Sequence, residues 1–306
     1  MIRKYHLIDG KLVENGSNES PIQVYVNPDK DEKSFLVNTL QIDEHTLNSA
    51  LDPDELSRLE FEASHAAVII KSPKRYTAED NFLFKISSIG LFLFTDKLVI
   101  VLSEEAVLFD GRPFQKLRST LDVFLKVIFR SIQHFESHLN IIHKISSELE
   151  AEINHALNNK DLVNMFNLEK SLVYYLKAIS SNSKVVERMK VNAPKLGLSQ
   201  EDSEFIEDIT IETAQCFEEA NTYLQVISNL MDAWASMVSN NINIRMKTLT
   251  ILSICIMMPT FIVSLFSMNV ALPLPQQESM WPFWFIAFLG SLSVIVIAVL
   301  WRVRKW

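Results

Sequence analysis

The chain has 306 residues and a formal net charge of −8, with 48% of its residues hydrophobic and 22% charged. That length admits one large domain or two medium ones, and the acidic balance argues against a nucleic-acid partner, which needs clustered Lys and Arg on its phosphates. Two cysteines, Cys216 and Cys255, exclude a disulfide framework and fit a reducing compartment for the soluble part.

The apolar excess, visible in a mean hydropathy of +0.12, is concentrated at one end. Charged residues lie overwhelmingly at or before Lys247, and none occurs from Thr248 to Gln277. A soluble part followed by a lipid-embedded part is therefore expected. Met1 to Asp9 carry charges and no apolar run of signal-peptide length, so no secretory leader is expected.

In chain order, the first hundred residues mix short strands and helices. Ile22–Val26, Ala66–Ile70, Phe82–Ile86 and Leu91–Leu102 have the β-branched and aromatic content of strands. Asp52-Pro53-Asp54-Glu55 predicts a helix start, with Asp52 as cap, Pro53 at the first helical position and Glu55 closing a capping box. Asp96-Lys97 predicts a turn between two strands. An α/β or α+β unit follows for roughly the first 110 residues.

Beyond Pro113 the texture changes. From Phe114 to Val191 there is neither glycine nor proline, and Leu121, Phe124, Leu125, Ile128, Ile132 and Phe135 recur at helical spacing. Leu139, Ile142, Ile145 and Leu149 continue the pattern. Two long helices are predicted, turning near Asn158–Asp161 and ended by Pro194 and Gly197. Ser199 with Asp202 forms a second capping box, and no proline follows until Pro259. One helix is therefore expected from about residue 200 to 268, on the order of 100 Å long. A monomeric globule has no use for such an element; an oligomeric stalk entering a membrane does.

Leu249 to Met268 and Trp281 to Trp301 are both free of charge, and each has the roughly 20 residues needed to cross a bilayer. Trp281, Trp284 and Trp301 sit near the ends of the second span, where aromatic rings favour the headgroup level. Arg245 and Lys247 precede the first span, and Arg302, Arg304 and Lys305 follow the second. The linker from Asn269 to Met280 holds one acid, Glu278, and no basic residue. The positive-inside rule then puts both termini in the cytosol and the linker outside. A multi-pass protein of the cell (inner) membrane is expected.

Two membrane helices cannot enclose a water-filled path, whereas several copies about an axis can. In the first span Asn243, Met246, Leu249 or Thr250, Ser253, Met257 and Ser264 recur at helical spacing as a polar or soft stripe. Ile251, Ile254, Met258 and Ile262 occupy the opposite face. Rings of Met and Leu would gate by dewetting; plain helix packing is the competing reading. Asn269 would set amide oxygens at the outer mouth, suited to a hydrated dication. Glu278 would add a ring of negative charge there, or is an ordinary solvated residue.

Met246-Lys247-Thr248-Leu249-Thr250, then Pro259-Thr260, then Phe266-Ser267-Met268-Asn269-Val270 resembles the signature of CorA-like divalent metal-ion transporters, strongest over residues 203 to 306. The family hallmark is Gly-Met-Asn, usually preceded by Tyr. This chain departs from it, with Ser267 for the glycine and Phe266 for the tyrosine. The resemblance implies a homopentamer with a funnel-shaped cytosolic domain and a stalk helix continuous with the pore-lining span. It makes Ser267, Met268 and Asn269 the selectivity filter, and Asn243, Met246, Leu249 and Met257 pore-lining. It also implies a regulatory cation site between cytosolic domains, with Asp208 on the stalk and Asp96 as its candidate partner.

The expected organisation is an α+β cytosolic domain over 1–199 (an α/β/α-like sheet plus long helices), a stalk over 200–248 and a first membrane helix over 249–268. An extracytoplasmic loop over 269–280, a second membrane helix over 281–301 and a basic tail over 302–306 complete it. The expected function is passage of a divalent cation, Mg²⁺ by default or Co²⁺, Ni²⁺ or Zn²⁺, which serves as substrate and regulatory ligand. The alternative is a non-conducting, membrane-anchored oligomer with a sensory or structural role.

Other constellations carry less. His134 and His138 lie one turn apart with Glu136 between and His143 beyond, but not in the zincin order, and read as solvated helix residues. Glu201, Asp202, Glu204, Glu207 and Asp208, with Glu212, Glu218 and Glu219 beyond, are either a solvated face or a cation-feedback site. No P-loop, nucleophile elbow or cysteine cluster occurs, so neither an enzyme nor an organic cofactor is expected.

Overall fold

The computed structural model describes residues 1–15, 20–152, 159–268 and 280–304. The chain divides into two compact units, Met1–Met231 and Asp232–Trp306.

The first unit is built on a seven-stranded sheet. Its strands are β1 (Ile2–Ile8), β2 (Lys11–Glu14), β3 (Ile22–Val26), β4 (Arg58–Phe61), β5 (His65–Pro73), β6 (Ile86–Phe94) and β7 (Leu98–Leu102), in the order β2-β1-β3-β7-β6-β5-β4. Among the described strands only β3 and β7 pair in parallel. The central strands are buried on both faces and read as continuous apolar runs, as in Leu98–Leu102.

Two helices cover one face: α1 (Lys30–Asn38) and α2 (Glu44–Leu51). Leu36, Ile42, Leu47 and Ala50 pack there on Tyr25, Ile69, Phe92 and Val99. Gly90 of β6 lies so close to α2 that an added Cβ would stand 2.5 Å from the Ala50 Cβ. The other face carries α3 (Thr120–Glu152) and α4 (Asn159–Val191). Val123, Phe124 and Ile128 of α3 and Leu172, Tyr175 and Ile179 of α4 join Val68, Ile70, Leu91 and Ile100 in the main core.

The third long helix, α5 (Gln200–Phe266), is continuous through 67 residues. Its capping box forms as expected: the Asp202 carboxylate accepts from the Ser199 backbone N–H at 3.0 Å, and Ser199 Oγ accepts from the Asp202 N–H at 3.2 Å. Ile206, Ile209, Thr213, Cys216, Ala220 and Ile227 are buried. Their alternating spacing of three and four is that of a coiled-coil seam. The stripe packs on α3, where Phe205 meets Phe129 edge-on at 5.4 Å and Tyr223 stacks on His143 at 5.1 Å.

Two expectations are corrected here. Asp52 starts no helix; it closes α2, its N–H bonded to Ser49 O, and its carboxylate turns the chain by accepting from the Asp54 N–H at 2.9 Å. The capping box of this region belongs to Asp29 and Glu32, at the head of α1. Nor is Phe82–Ile86 a strand. Asn81 and Phe82 both take positive φ, and β6 begins only at Ile86. Phe84 is a buried anchor in that loop, its N–H donating to Ser171 Oγ of α4 at 2.9 Å.

In the second unit the later part of α5 is followed by α6 (Trp281–Arg304). Both helices are long and apolar enough to cross a membrane, and apart from Gly290 of α6 their apolar stretches are not buried. They differ in this from the core helices of a soluble domain, which are mostly buried.

Candidate functional site

The expected pore stripe lies on the exposed side of α5. Leu249 is 58% and Met257 67% exposed, and Asn243, Met246, Ser253 and Ser264 are exposed as well. The partly covered residues of this stretch are Ile251, Cys255, Pro259, Ile262 and Phe266. At about 100° per residue this second stripe points some 180° away from the first. It faces α6: Gly290 is buried, and a Cβ there would touch the Pro259 ring at 3.8 Å. Each α5 thus presents its polar and soft residues on the side away from its own α6.

Most hydroxyls of this segment bond within the helix. Thr248, Thr250, Ser253 and Thr260 each donate to the carbonyl four residues earlier at 2.7–2.9 Å. Such back-bonding satisfies a hydroxyl without a partner outside its own helix. Ser267 does the same, donating to Val263 O at 2.9 Å, and it is not among the described residues with positive φ. A Cβ at this position therefore imposes no left-handed strain. Met268, just past the helix, is 59% exposed. Asn269 and Glu278 lie outside the described residues, as does Lys305.

Asp208 is exposed on α5, and Asp96 is exposed in the turn between β6 and β7. The surrounding acids are largely committed within the chain. Glu201 pairs with Arg118, Asp202 serves the cap, and Glu207 meets Lys190 Nζ at 2.8 Å. Among the described residues no group of three His, Cys, Asp or Glu side chains is gathered for a metal.

Of the α3 histidines, His143 is exposed as expected, whereas His138 is buried and His134 half-buried. His138 is 5% exposed, and its Nδ1 shares a 2.6 Å hydrogen bond with the Tyr175 hydroxyl of α4. His134 stands edge-on to it at 4.6 Å. Burial pushes His138 down to about 4, with His134 adding to the effect. Both imidazoles are neutral packing groups because this face of α3 looks inward.

Glu136, from the same turn, is the residue that sequence reasoning passed over. Burial between α3 and α5 raises its carboxyl to about 7, helped by a hydrogen bond with Glu212 and by the charges of Glu212 and Glu219. Cys216, buried beside these acids, is pushed up to about 12, first by burial and then by Glu136. A carboxyl raised above its unfolded value of 4.5 binds extra proton in the folded state. Stability then falls as pH rises from about 4.5 through about 7, and the loss is complete above that. Glu136→Gln should leave the thermal midpoint unchanged at pH 5 and raise it at pH 8. With the carboxyl half-exposed and screened, the gain is about 1 kcal/mol. Parallel midpoint–pH curves for the two proteins would rule this role out.

Comparison with known proteins adds the following. The sequence matches the family described as "CorA-like Mg2+ transporter protein" over residues 24–305. It is 25% identical to the cobalt/magnesium transport protein CorA of Methanocaldococcus jannaschii, over 97% of each chain. To the protein of the same name from Thermotoga maritima it is 22% identical, over 85% of this chain and 75% of the other. Among solved structures, the complete CorA magnesium transporter of Methanocaldococcus jannaschii superposes with a TM-score of 0.78 at 20% identity, over 98% of this chain and 96% of that one. The full-length CmaX protein gives 0.75 at 13% identity, over 99% and 97%. With the long helices, the apolar pair and all of the sheet beyond β1, β2 and the start of β3 inside the matched range, the chain belongs to the CorA-like Mg²⁺ transporter protein family, a family of transporters and not of enzymes.

Proposed function

We propose that this protein passes divalent cations, Mg²⁺ by default, across the cell membrane through a pore formed by several copies of α5. The observation that carries this reading is the pair of opposed stripes on α5. One is covered by α6, while the other, holding Asn243, Met246, Leu249, Ser253, Met257 and Ser264, is exposed and free to face an axis. Ile242, Ile244 and Leu252 are exposed as well, which leaves this stretch of a lone chain without the apolar cover that neighbouring copies and lipid supply. In this reading residues 200–248 are the stalk, 249–268 the pore helix and 281–301 the outer helix. A homopentamer has Ser267, Met268 and Asn269 at its filter and Glu278 at its mouth. Both termini, with the basic 302–306 tail, are cytosolic, and Asp208 with Asp96 holds a regulatory cation.

Transport is driven by the ion gradient and the membrane potential, worth ~4.6 kcal/mol for a dication at 100 mV. Purified protein in liposomes should accumulate Mg²⁺ faster under an inside-negative potential, with Co²⁺, Ni²⁺ and Zn²⁺ measured in parallel. Inhibition by Mg²⁺ on the cytosolic side should weaken in Asp208→Ala. Absence of flux for all four ions, with the protein correctly inserted, would instead favour a non-conducting oligomer.

A further inference from the structure

The N-terminal unit holds a cavity of about 1290 Å³ between the α3 face of the sheet and the segment that follows β7. Its floor includes Val26 and Leu102, the last residues of the parallel strand pair β3 and β7. On either side of that pair the sheet turns antiparallel, with β1 beside β3 and β6 beside β7. Crevices beyond the carboxyl ends of parallel strands, where strand direction or order switches, are where open α/β sheets place their ligands.

The charge of the lining runs against that of the chain. In a protein of net charge −8, six cations and three acids line this one cavity. Two of the acids are already paired: Glu104 with Lys74 at 2.9 Å and Glu105 with Arg3. Arg75, Arg112 and Arg130 make no ion pair among the described residues. Asp110 is the remaining acid, set against these three guanidinium groups. Gly111, at φ 97°, turns the chain so that Arg112 and Phe114 both line the cavity.

Part of the lining is aromatic. Tyr5 meets Phe109 edge-on at 5.0 Å, and Phe109 meets Phe114 at 5.6 Å. Tyr5 and Phe109 are only half-buried, which leaves ring surface open to the cavity. The space exceeds the roughly 300–1,000 Å³ of ordinary ligand pockets. Unpaired guanidinium groups recognise phosphate by forked hydrogen bonds, and an aromatic wall takes a planar ring.

We propose that this cavity binds a nucleotide, its phosphates held by Arg75, Arg112 and Arg130 and its base against Tyr5 and Phe109. The transporter would then carry a ligand site in its N-terminal unit, built from residues that take no part in the proposed pore.

Calorimetric titration of the full-length protein in detergent, with free Mg²⁺ chelated, tests this using ATP, ADP, inorganic tripolyphosphate and adenosine as probes. ATP should saturate at one per chain, with tripolyphosphate at least tenfold weaker and adenosine undetectable. Arg112→Gln/Arg130→Gln should weaken ATP by tenfold or more for each guanidinium removed. Arg75→Gln, at an exposed position, should weaken it by a similar factor without affecting the fold. Circular dichroism melts of each variant report folding. No saturable nucleotide binding, or equal affinity in well-folded arginine variants, would overturn the proposal. Tripolyphosphate binding as tightly as ATP would overturn the nucleotide assignment by leaving the aromatic wall without a role.

Discussion

Asn182→Ala should lower the thermal midpoint of the protein by about 6–12 °C, corresponding to about 3 kcal/mol. The β4 strand is short, and its pairing with β5 ends at Arg58 opposite Ile69. Beyond that point Lys71 is still buried and still paired with Ser88 of β6, but has no β4 residue on its other side. Asn182 of α4 takes that place: its Oδ1 accepts from the Lys71 N–H and its Nδ2 donates to the Lys71 carbonyl, both at 2.8 Å. The same Oδ1 accepts from Ser57 Oγ at 2.7 Å. Alanine would orphan the Lys71 N–H and the Ser57 hydroxyl at once, at about 1–3 kcal/mol for each unsatisfied group. The Lys71 carbonyl keeps Ser131 Oγ at 2.8 Å and adds little to the loss. Ser181→Ala, which removes only the acceptor of the Ser57 N–H, should cost about 1 kcal/mol. Equal midpoints for the Asn182 and Ser181 variants in a circular dichroism melt would remove the bridging role.

Those bonds also mark where sequence reasoning stops. Periodicity located α3, α4 and α5, because a long apolar stripe has one arrangement that buries it. It located β3 and β7 through unbroken β-branched runs. It failed at Asp52, where two outcomes compete for the same residues. Asp-Pro-Asp-Glu can cap a helix or make an Asx turn. The turn is stabilised by a distant partner: the Lys71 ammonium donates to the carbonyls of Asp52 and Pro53 at 3.2 and 2.9 Å. Burial holds that ammonium at about 8 despite the nearby carboxylates. No local pattern announces a lysine reaching across from β5.

The candidate site divides in the same way. The exposed stripe of α5 was legible from spacing alone, because helical geometry fixes which residues share a face. The inward facing of His134, Glu136 and His138 was not, because three polar residues in one turn look solvated. His138 is buried, and His134 and Glu136 half-buried, because α3 is packed on the sheet and α4 along one side and on α5 along another, which leaves Ser137, Asn140 and His143 to face water. A signal was present all the same. Phe135, Leu139 and Ile142 are buried and mark the inward face of the helix, on which His138 also falls.

The largest functional effect is expected at Asn269. Mg²⁺ gives up its water reluctantly, so a filter must hold it through its hydration shell with oriented dipoles. Asn269→Ala removes one amide from every copy simultaneously. At ~0.5–1 kcal/mol per hydrogen bond, the proposed pentamer would lose about 3 kcal/mol, which is roughly 100-fold in flux. Ser267→Gly is the informative partner. The Ser267 hydroxyl is bonded to Val263 O and its backbone avoids positive φ, so the serine is an ordinary helix-end residue and not a strained substitute for glycine. Flux in Ser267→Gly should therefore stay within about threefold of the parent, equivalent to under ~0.7 kcal/mol. Isotope uptake into liposomes at matched protein density reads both variants. If Asn269→Ala transports normally, the filter lies elsewhere; if Ser267→Gly opens a pathway closed in the parent protein, serine is the element that blocks it.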